Sequence, residues 1–362
     1  MARTSRAVAG NIISSRTRRP YSKLYYVVES ADWSIKWDGK YITQNLNRQN
    51  LIKACITETY QGVRNQVLHL GSRNLFLPDT WHRINSSNKT VFYWTHGTEE
   101  DGSPANLAMI KAIPDAANKA DIIHTPCKIS ESNLLRWGVS QDKIVVIPVG
   151  VDLNIFKPVT AERKIMIRQE LGLPSDKLII GSFQKDGVGW GDGMEPKWVK
   201  GPEVFVKVID RLRRDHDIFV LLLGPARGYV KEALEKIGVP YRYFFLENYL
   251  EIPKYYNALD LYLVTSRAEG IPKAITEAMA SGVPLVTTRV GIAPDIIEEG
   301  ENGMLSEVDD VATIAEKAAR IVVDKEMAGH MVKNALNTVK DYSWEKIARK
   351  FYDKIYKRLL SD

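Results

Sequence analysis

The chain has 362 residues, 44% hydrophobic and 26% charged, an ordinary composition for a folded protein of about two domains. Its two cysteines, Cys55 and Cys127, lie far apart and in no metal-ligand spacing, so neither a disulfide scaffold nor a zinc site is indicated and a reducing cytoplasm fits best. No apolar stretch is long enough to span a membrane.

The net charge of +6 comes from the first half of the chain. Residues 1–160 hold 20 Lys and Arg against 13 Asp and Glu, whereas the remainder holds 30 against 31. The first twenty residues contain five arginines and no acid, which is typical of a flexible basic arm or of a solvated tail. Such an arm favours peripheral binding of the protein to the inner, anionic face of a membrane. The lack of interleaved aromatic residues in the arm argues against specific nucleic-acid recognition.

Short apolar runs alternate with amphipathic stretches along the chain, which predicts parallel βα units. Pro148, Gly150 and Pro158 indicate an interdomain linker near residues 150–160. The predicted strands are, in order, 24–28, 66–70, 90–95, 121–125, 143–149, 178–183, 218–223, 241–246, 259–264 and 283–287. The predicted helices are 40–60, 105–120, 130–137, 163–171, 202–212, 229–237, 252–259, 272–282, 294–298, 311–324 and 325–360, the last with a break near Asp341.

The stretch 266–282 predicts a tight loop between a buried strand and a helix. Pro272 suits the first turn of that helix and Gly282 suits its end. A loop entering a helix offers backbone N–H groups and the positive end of a dipole, which favour a phosphate. Glu269 and Glu277 frame the loop, and carboxylates suit vicinal hydroxyls. A capping glutamate with a solvated helix residue is the alternative for such a pair.

Further candidates follow other predicted strands. The glycine-rich loop 184–199 holds Lys185 and leads to Lys200 at a helix start, so both lysines are placed to converge on a phosphate pair. Solvated loop charge is the alternative. His96 follows the strand predicted at 90–95, at the edge of an open parallel sheet where ligands gather. A structural histidine is the alternative there.

Other catalytic patterns are missing from the sequence. Asp215-His216-Asp217 has the spacing of a divalent-metal motif, but it falls at the amino end of a predicted strand and is interpreted as a turn. The glycines at 187–193 do not form a Walker loop or a dinucleotide fingerprint, and no Gly-x-Ser-x-Gly occurs. Nucleoside triphosphate hydrolysis and a hydrolase triad therefore have no support in the sequence.

The motif Ser-Arg-Ala-Glu-Gly-Ile-Pro-Lys-Ala-Ile-Thr-Glu-Ala-Met-Ala-Ser-Gly-Val-Pro-Leu-Val resembles the Glu-x7-Glu signature of family 4 glycosyltransferases. Three further stretches match in order, at 147–158, 200–201 and 300–303, and Tyr342-Ser-Trp resembles the point where the last helix crosses back to the first domain. The resemblance covers about residues 90–360. The resemblance implies an α/β protein of the GT-B fold, with two Rossmann-like domains facing across a cleft. It implies an acceptor domain at 21–155, a donor domain at 156–340 and a helix at 341–362 that crosses back, after the basic arm 1–20.

The resemblance implies a retaining transferase that moves a sugar from a UDP-, GDP- or ADP-sugar to a glycan, lipid-linked or small-molecule acceptor. No metal or other cofactor is required in such a family. A GT-B nucleotide-sugar epimerase and a non-catalytic nucleotide-sugar-binding protein are the alternatives. The oligomeric state is not predicted.

Residue roles follow from the same resemblance. Glu277 would hold the donor ribose, Glu269 and His96 would face the donor sugar, and Lys185 and Lys200 would neutralise the diphosphate. The remaining donor-binding candidates are Gly224, Arg227, Asn248, Tyr249, Gly270, Ile271 and Pro272. Two stretches depart from the family pattern: residues 31–39 replace a glycine-rich loop, and the loop 184–199 is longer than usual.

Overall fold

The computed structural model describes residues 21–30, 34–76 and 82–361, so the basic arm predicted for residues 1–20 lies outside the described residues. The described chain forms two six-stranded sheets flanked by helices, and every recorded pairing between their strands is parallel. This arrangement confirms the predicted α/β class. Strands such as Ile218–Leu223 read as continuous apolar runs because helices cover both faces of a parallel sheet.

The two sheets divide the described strands between the two halves of the chain. The first sheet has the order β2-β1-β3-β4-β5-β6, with β1 Lys23–Val27, β2 Lys53–Thr57, β3 Val67–Leu70, β4 Lys89–Tyr93, β5 Ile122–Thr125 and β6 Ile144–Val146. The second has the order β12-β11-β10-β7-β8-β9, with β7 Leu178–Phe183, β8 Ile218–Leu223, β9 Tyr241–Phe244, β10 Leu261–Val264, β11 Leu285–Thr288 and β12 Met304–Ser306.

The α-helices of the described residues lie between the strands or follow the last of them, β12. They are α1 Ser34–Arg48, α2 Pro104–Lys119, α3 Lys128–Arg136, α4 Ala161–Glu170, α5 Pro202–Leu212, α6 Gly228–Lys236, α7 Ile252–Tyr256, α8 Lys273–Ala280, α9 Ala293–Ile296, α10 Val311–Val323, α11 Lys325–Thr338, α12 Trp344–Phe351 and α13 Lys357–Ser361. A π-helical turn, Tyr352–Tyr356, joins α12 to α13.

The helix predicted at 40–60 is confirmed over 40–48 and wrong beyond it. Helix α1 begins earlier and ends at Arg48, Asn50 takes a left-handed φ of 52°, and β2 follows at the edge of the sheet. The side chain of Asn47 bonds both the N–H (2.9 Å) and the carbonyl (2.7 Å) of Ala54, which ties the helix end to this strand. Edge strands are partly exposed, so β2 lacks the apolar run that reveals a central strand.

The last helices return to the first sheet. Trp344, Phe351 and Tyr356 belong to the same buried cluster as Leu24 and Val91 of the first sheet. The Tyr356 hydroxyl also lies 2.7 Å from Nδ1 of His69 on β3. The core of the first half therefore includes residues from the very end of the described chain.

Candidate functional site

The loop between β10 and α8 brings the two halves of the chain into contact. A Cβ at Gly270 would lie 1.5 Å from the carbonyl oxygen of Thr95, directly after β4. Only a residue without a side chain permits this approach. The loops at the carboxyl ends of the two sheets therefore meet here, as expected for a ligand site between open parallel sheets.

Helix α8 begins at Lys273, with Pro272 as the residue before it, one position later than the sequence predicted. At its other end Gly282 has a φ of 71°, and its N–H donates to the carbonyl of Met279 at 3.2 Å. The N–H of Val283 donates to Ala278 at 2.9 Å, which completes a glycine-dependent helix end. The helix is thus fixed at both ends beside the loop.

Glu269 and Lys200 form an ion pair at the centre of the site. The Glu269 carboxylate accepts hydrogen bonds from the Lys200 ammonium and from the Ser266 hydroxyl, the latter at 3.0 Å. The turn that carries Lys200 is bound to the loop, because the N–H of Arg267 donates to the carbonyl of Val199 at 2.9 Å. Two sequence candidates 69 residues apart are thereby in contact.

His96 lies on the opposite side of the cleft. Its Nδ1 is 2.9 Å from the Thr95 hydroxyl, and the residue as a whole is exposed. Surrounding protein atoms lower the pKa of His96 well below its ordinary value, and the charges of Arg73, Lys200 and Lys197 lower it further. A lowered pKa favours the neutral form of the imidazole, and the ring lies within the field of these three positive charges.

Arg73 and Lys197 are members of this positive surface that the sequence reasoning missed. Arg73 follows β3 and donates from Nη1 to the carbonyl of His96 and to Oδ1 of Asn106, each at 2.7 Å. Burial lowers the pKa of Lys197, and the charge of Lys200 lowers it further, against the opposing effect of Glu269. A cation directly after a strand end was the available signal for Arg73.

Lys185 is held by its own loop. Its ammonium lies 3.7 Å from the centre of the Trp190 ring, a cation–π contact. The loop forms a short hairpin in which the N–H of Val188 donates to the carbonyl of Glu195 at 2.9 Å. Lys185 also contributes to the lowered pKa of Lys197, so it belongs to the positive surface although it does not contact Glu269.

The donor-binding expectation for Arg227 is corrected by its burial. The guanidinium is fully buried, pairs with Asp186 at 3.0 Å and donates to the carbonyls of Ser182 and Leu223 at 2.7 Å each. No surface of this side chain is left for a ligand. Gly224, the neighbouring candidate, has a φ of 100° and approaches the carbonyl of Gln184.

Glu277 is buried on helix α8, with 5% of its surface exposed. One carboxylate oxygen accepts from the hydroxyl of Tyr256 at 2.9 Å and the other accepts from Tyr249. Burial raises the pKa of Glu277 against the opposing effect of these bonds. Asn248 caps the turn that carries Tyr249, accepting from the N–H of Leu250 at 3.0 Å. Tyr249 and Glu277, both sequence candidates, are thus in contact.

Within the described residues, no group of three or more His, Cys, Asp or Glu side chains is arranged to hold a metal ion. None of the helices in the described part of the chain combines the length and apolarity that crossing a membrane requires.

The second half of the chain matches a known family. Residues 196–338 match the family model for glycosyl transferases group 1. The chain is 23% identical over 300 residues to a D-inositol 3-phosphate glycosyltransferase of Corynebacterium glutamicum (strain R), covering 79% of this chain and 69% of that protein. It is 30% identical over 215 residues to the lipopolysaccharide core biosynthesis mannosyltransferase LpsB of Rhizobium meliloti (strain 1021), covering 56% and 58% respectively. Several other curated relatives match over about half of their length.

Solved structures match nearly the whole chain. Anabaena Alr3699/HepE, in complex with UDP and glucose, superposes with a TM-score of 0.74 at 16% identity over 93% of this chain and 100% of that one. Sucrose-phosphate synthase from Thermosynechococcus elongatus gives a TM-score of 0.75 at 17% identity over 94% and 99%. These likenesses confirm the GT-B fold. The chain therefore has the GT-B fold, and residues 196–338 resemble the group 1 glycosyl transferases.

Proposed function

We propose that this protein transfers a sugar from a nucleoside-diphosphate sugar to an acceptor hydroxyl with retention of the anomeric configuration, without a metal. The observation that carries the proposal is the contact of Lys200 with Glu269 beside the close approach of Gly270 to Thr95 and His96. These groups come from both halves of the chain and converge on one cleft.

The charge distribution suits the departure of a diphosphate. When the bond from the sugar to the phosphate breaks, negative charge grows on the leaving group and positive charge on the sugar ring. Lys200 and Lys197, together with Lys185, supply fixed positive charge for the diphosphate. Such preorganised charges lower the barrier because they need no rearrangement during the reaction. We propose that Glu269 and His96 contact the sugar, where a carboxylate stabilises the developing positive charge and a neutral imidazole does not oppose it.

The nucleotide is assigned to the other end of the loop. We propose that Glu277 binds the ribose hydroxyls, once Tyr249 gives up its bond to that carboxylate, and that the region of Asn248 receives the base. The donor is a UDP-, GDP- or ADP-sugar. The solved neighbour that contains UDP and glucose makes the uridine donor the first to test.

The acceptor belongs to the first half of the chain in this proposal. It is a glycan, a lipid-linked sugar or a small molecule. The excess of basic residues in the first half favours an acceptor on an anionic membrane at the cytoplasmic face. Binding of the full chain to anionic vesicles, with no binding to neutral ones, is the expected result. Equal binding to both would remove this part of the proposal.

A thermal-shift panel of UDP, GDP and ADP tests the donor class, because a ligand at 100 times its dissociation constant stabilises by about 2.7 kcal/mol. Lys200→Ala then tests the site. We expect turnover of the matching nucleotide sugar to fall by about 3 kcal/mol of transition-state stabilisation, roughly 100-fold or more. Lys177→Ala is the matched control, because Lys177 pairs with Asp217 at 2.7 Å just before β7, at the amino end of the sheet. Unchanged turnover in Lys200→Ala would contradict the assignment.

A further inference from the structure

An ion pair joins the two halves of the chain beside the loop. The Asp38 carboxylate, on helix α1 over the first sheet, contacts the ammonium of Lys273, the first residue of helix α8. Both side chains are withdrawn from water, with 3% of the Asp38 side chain and 17% of the Lys273 side chain exposed. Withdrawal of a lysine ammonium from water is costly unless a partner compensates it, and here the Asp38 carboxylate does so.

Lys273 belongs to the same group of side chains as Glu277. The two residues are four apart on helix α8 and therefore share one face of it. The Lys273 ammonium also lies 5.9 Å from the centre of the Tyr249 ring, whose hydroxyl donates to Glu277. A lysine thus stands between the loop at Gly270 and the carboxylate of Glu277, where the phosphates of a nucleotide would lie if Glu277 held its ribose.

Helix α1 covers this group from the first half. Next to Asp38, the ring of Trp37 packs on Tyr249 with 5.7 Å between ring centres. One helix turn of the first half therefore contacts both Lys273 and Tyr249. A nucleotide that binds Glu277 has to displace Tyr249 from that carboxylate, and it meets Lys273 already paired with an anion.

We propose that Lys273 is a further ligand for the donor's diphosphate and that Asp38 competes with the diphosphate for it. This inference rests on the proposed function. A diphosphate carries more negative charge than a carboxylate and lies where the dipole of helix α8 adds to the attraction. The lysine ammonium is a point charge on a flexible four-carbon stem, so it can exchange one anion for another by rotating its side chain. Donor binding then separates Asp38 from Lys273 and loosens the cover formed by Trp37.

The test compares affinities for a nucleoside diphosphate, the monophosphate and the nucleoside by calorimetry, using the best binder among UDP, GDP and ADP. We expect Lys273→Met to lower the affinity for the nucleoside diphosphate at least tenfold and to change the affinity for the nucleoside less than twofold. Lys273→Arg retains the charge and should restore most of the affinity. Asp38→Asn removes the competing charge and keeps the size of the side chain. We expect it to raise the affinity for the nucleoside diphosphate threefold or more.

The direction of the Asp38→Asn effect distinguishes competition from a merely structural tie, because loss of a structural tie would weaken binding or leave it unchanged. The double variant should bind like Lys273→Met, since no lysine remains to be freed. Glu170→Gln is the matched control: it removes a carboxylate 2.8 Å from Lys254, away from the cleft, and should change nothing. Circular dichroism establishes that each variant is folded.

The outcomes separate the two proposals. If the wild-type protein binds none of the three diphosphates, the proposed function fails and this inference fails with it. If the wild type binds one of them, but Asp38→Asn does not tighten it or Lys273→Met does not weaken it, this inference alone is overturned.

Discussion

Replacement of Arg227 by methionine tests whether this residue supports the fold or binds the donor. Methionine keeps an unbranched stem but removes the charge, which leaves the Asp186 carboxylate buried without its partner and the carbonyls of Ser182, Gln184 and Leu223 without their donor. Removing one partner of a buried ion pair costs about 3–5 kcal/mol. Burial already raises the pKa of Asp186 to about 6 despite Arg227. The Asp186 carboxyl can therefore become neutral by binding a proton when Arg227 is absent. We expect the free energy of unfolding to fall by an amount near the lower limit, about 3 kcal/mol.

Hydrogen exchange measures this loss locally, since amides in 178–183 and 218–223 lie on the two strands that the guanidinium bridges. The double variant Arg227→Met with Asp186→Asn should recover part of the stability, because no buried charge remains. Arg213→Met, which removes a half-exposed partner of Asp210, should stay within about 0.5 kcal/mol of the wild type. A change below 1 kcal/mol together with a specific loss of nucleotide affinity would refute the structural role and restore the donor-binding one.

Two further changes test the cleft. Gly270→Ala places a methyl group 1.5 Å from the Thr95 carbonyl, so the loop must move away, and we expect turnover to fall at least tenfold. Gly329→Ala is the control, because a methyl group there would meet nothing within 4 Å beyond its own helix backbone and chain neighbours, and turnover should stay unchanged. The pH dependence of stability tests Asp38, whose pKa burial raises from 3.8 to about 6. Because the pKa of Asp38 is higher in the folded state than in the unfolded state, its protonation contributes to the free energy of unfolding. This contribution is fully present below about pH 4 and is lost as the pH rises through 6. Urea unfolding at pH 4.5, 5.5 and 6.5 should therefore show that Asp38 contributes less to the free energy of unfolding as the pH rises. Asp38→Asn should lack this pH-dependent contribution, and identical pH profiles for the wild type and the variant would contradict the raised pKa.

The strand and helix order of the second half was predictable because its physics is local. Strands buried on both faces, such as β8 and β10, consist of consecutive apolar residues. Proline marks the start of helices α5 and α8, and glycine follows the end of α8. Strand β2 was missed because an edge strand needs little apolar surface, and its pairing with β1 depends on residues far away in the sequence.

The site was predictable only where topology fixes position. Strand ends in a parallel sheet meet at one edge, which is why Lys200, Glu269 and His96 were selected as candidates. Arg227 follows a strand end in the same way, yet the structure turns its guanidinium back into the core to meet Asp186, and nothing in the local sequence distinguishes the two cases. Asp38 and Lys273 are 235 positions apart in the sequence and lie in helices of different halves. No local sequence pattern therefore predicts their contact.

The return of the last helices to the first sheet has a consequence for synthesis of the chain. Trp344, Phe351 and Tyr356 complete the core around Leu24 and His69, so the half that is translated first is the last to be finished. Domains generally fold as units while the ribosome is still working, and here the second half can do so first. Synthesis that stops before Trp344 would leave Leu24, Val67 and Val91 exposed to solvent as an apolar surface, and such a truncated chain should be prone to aggregation.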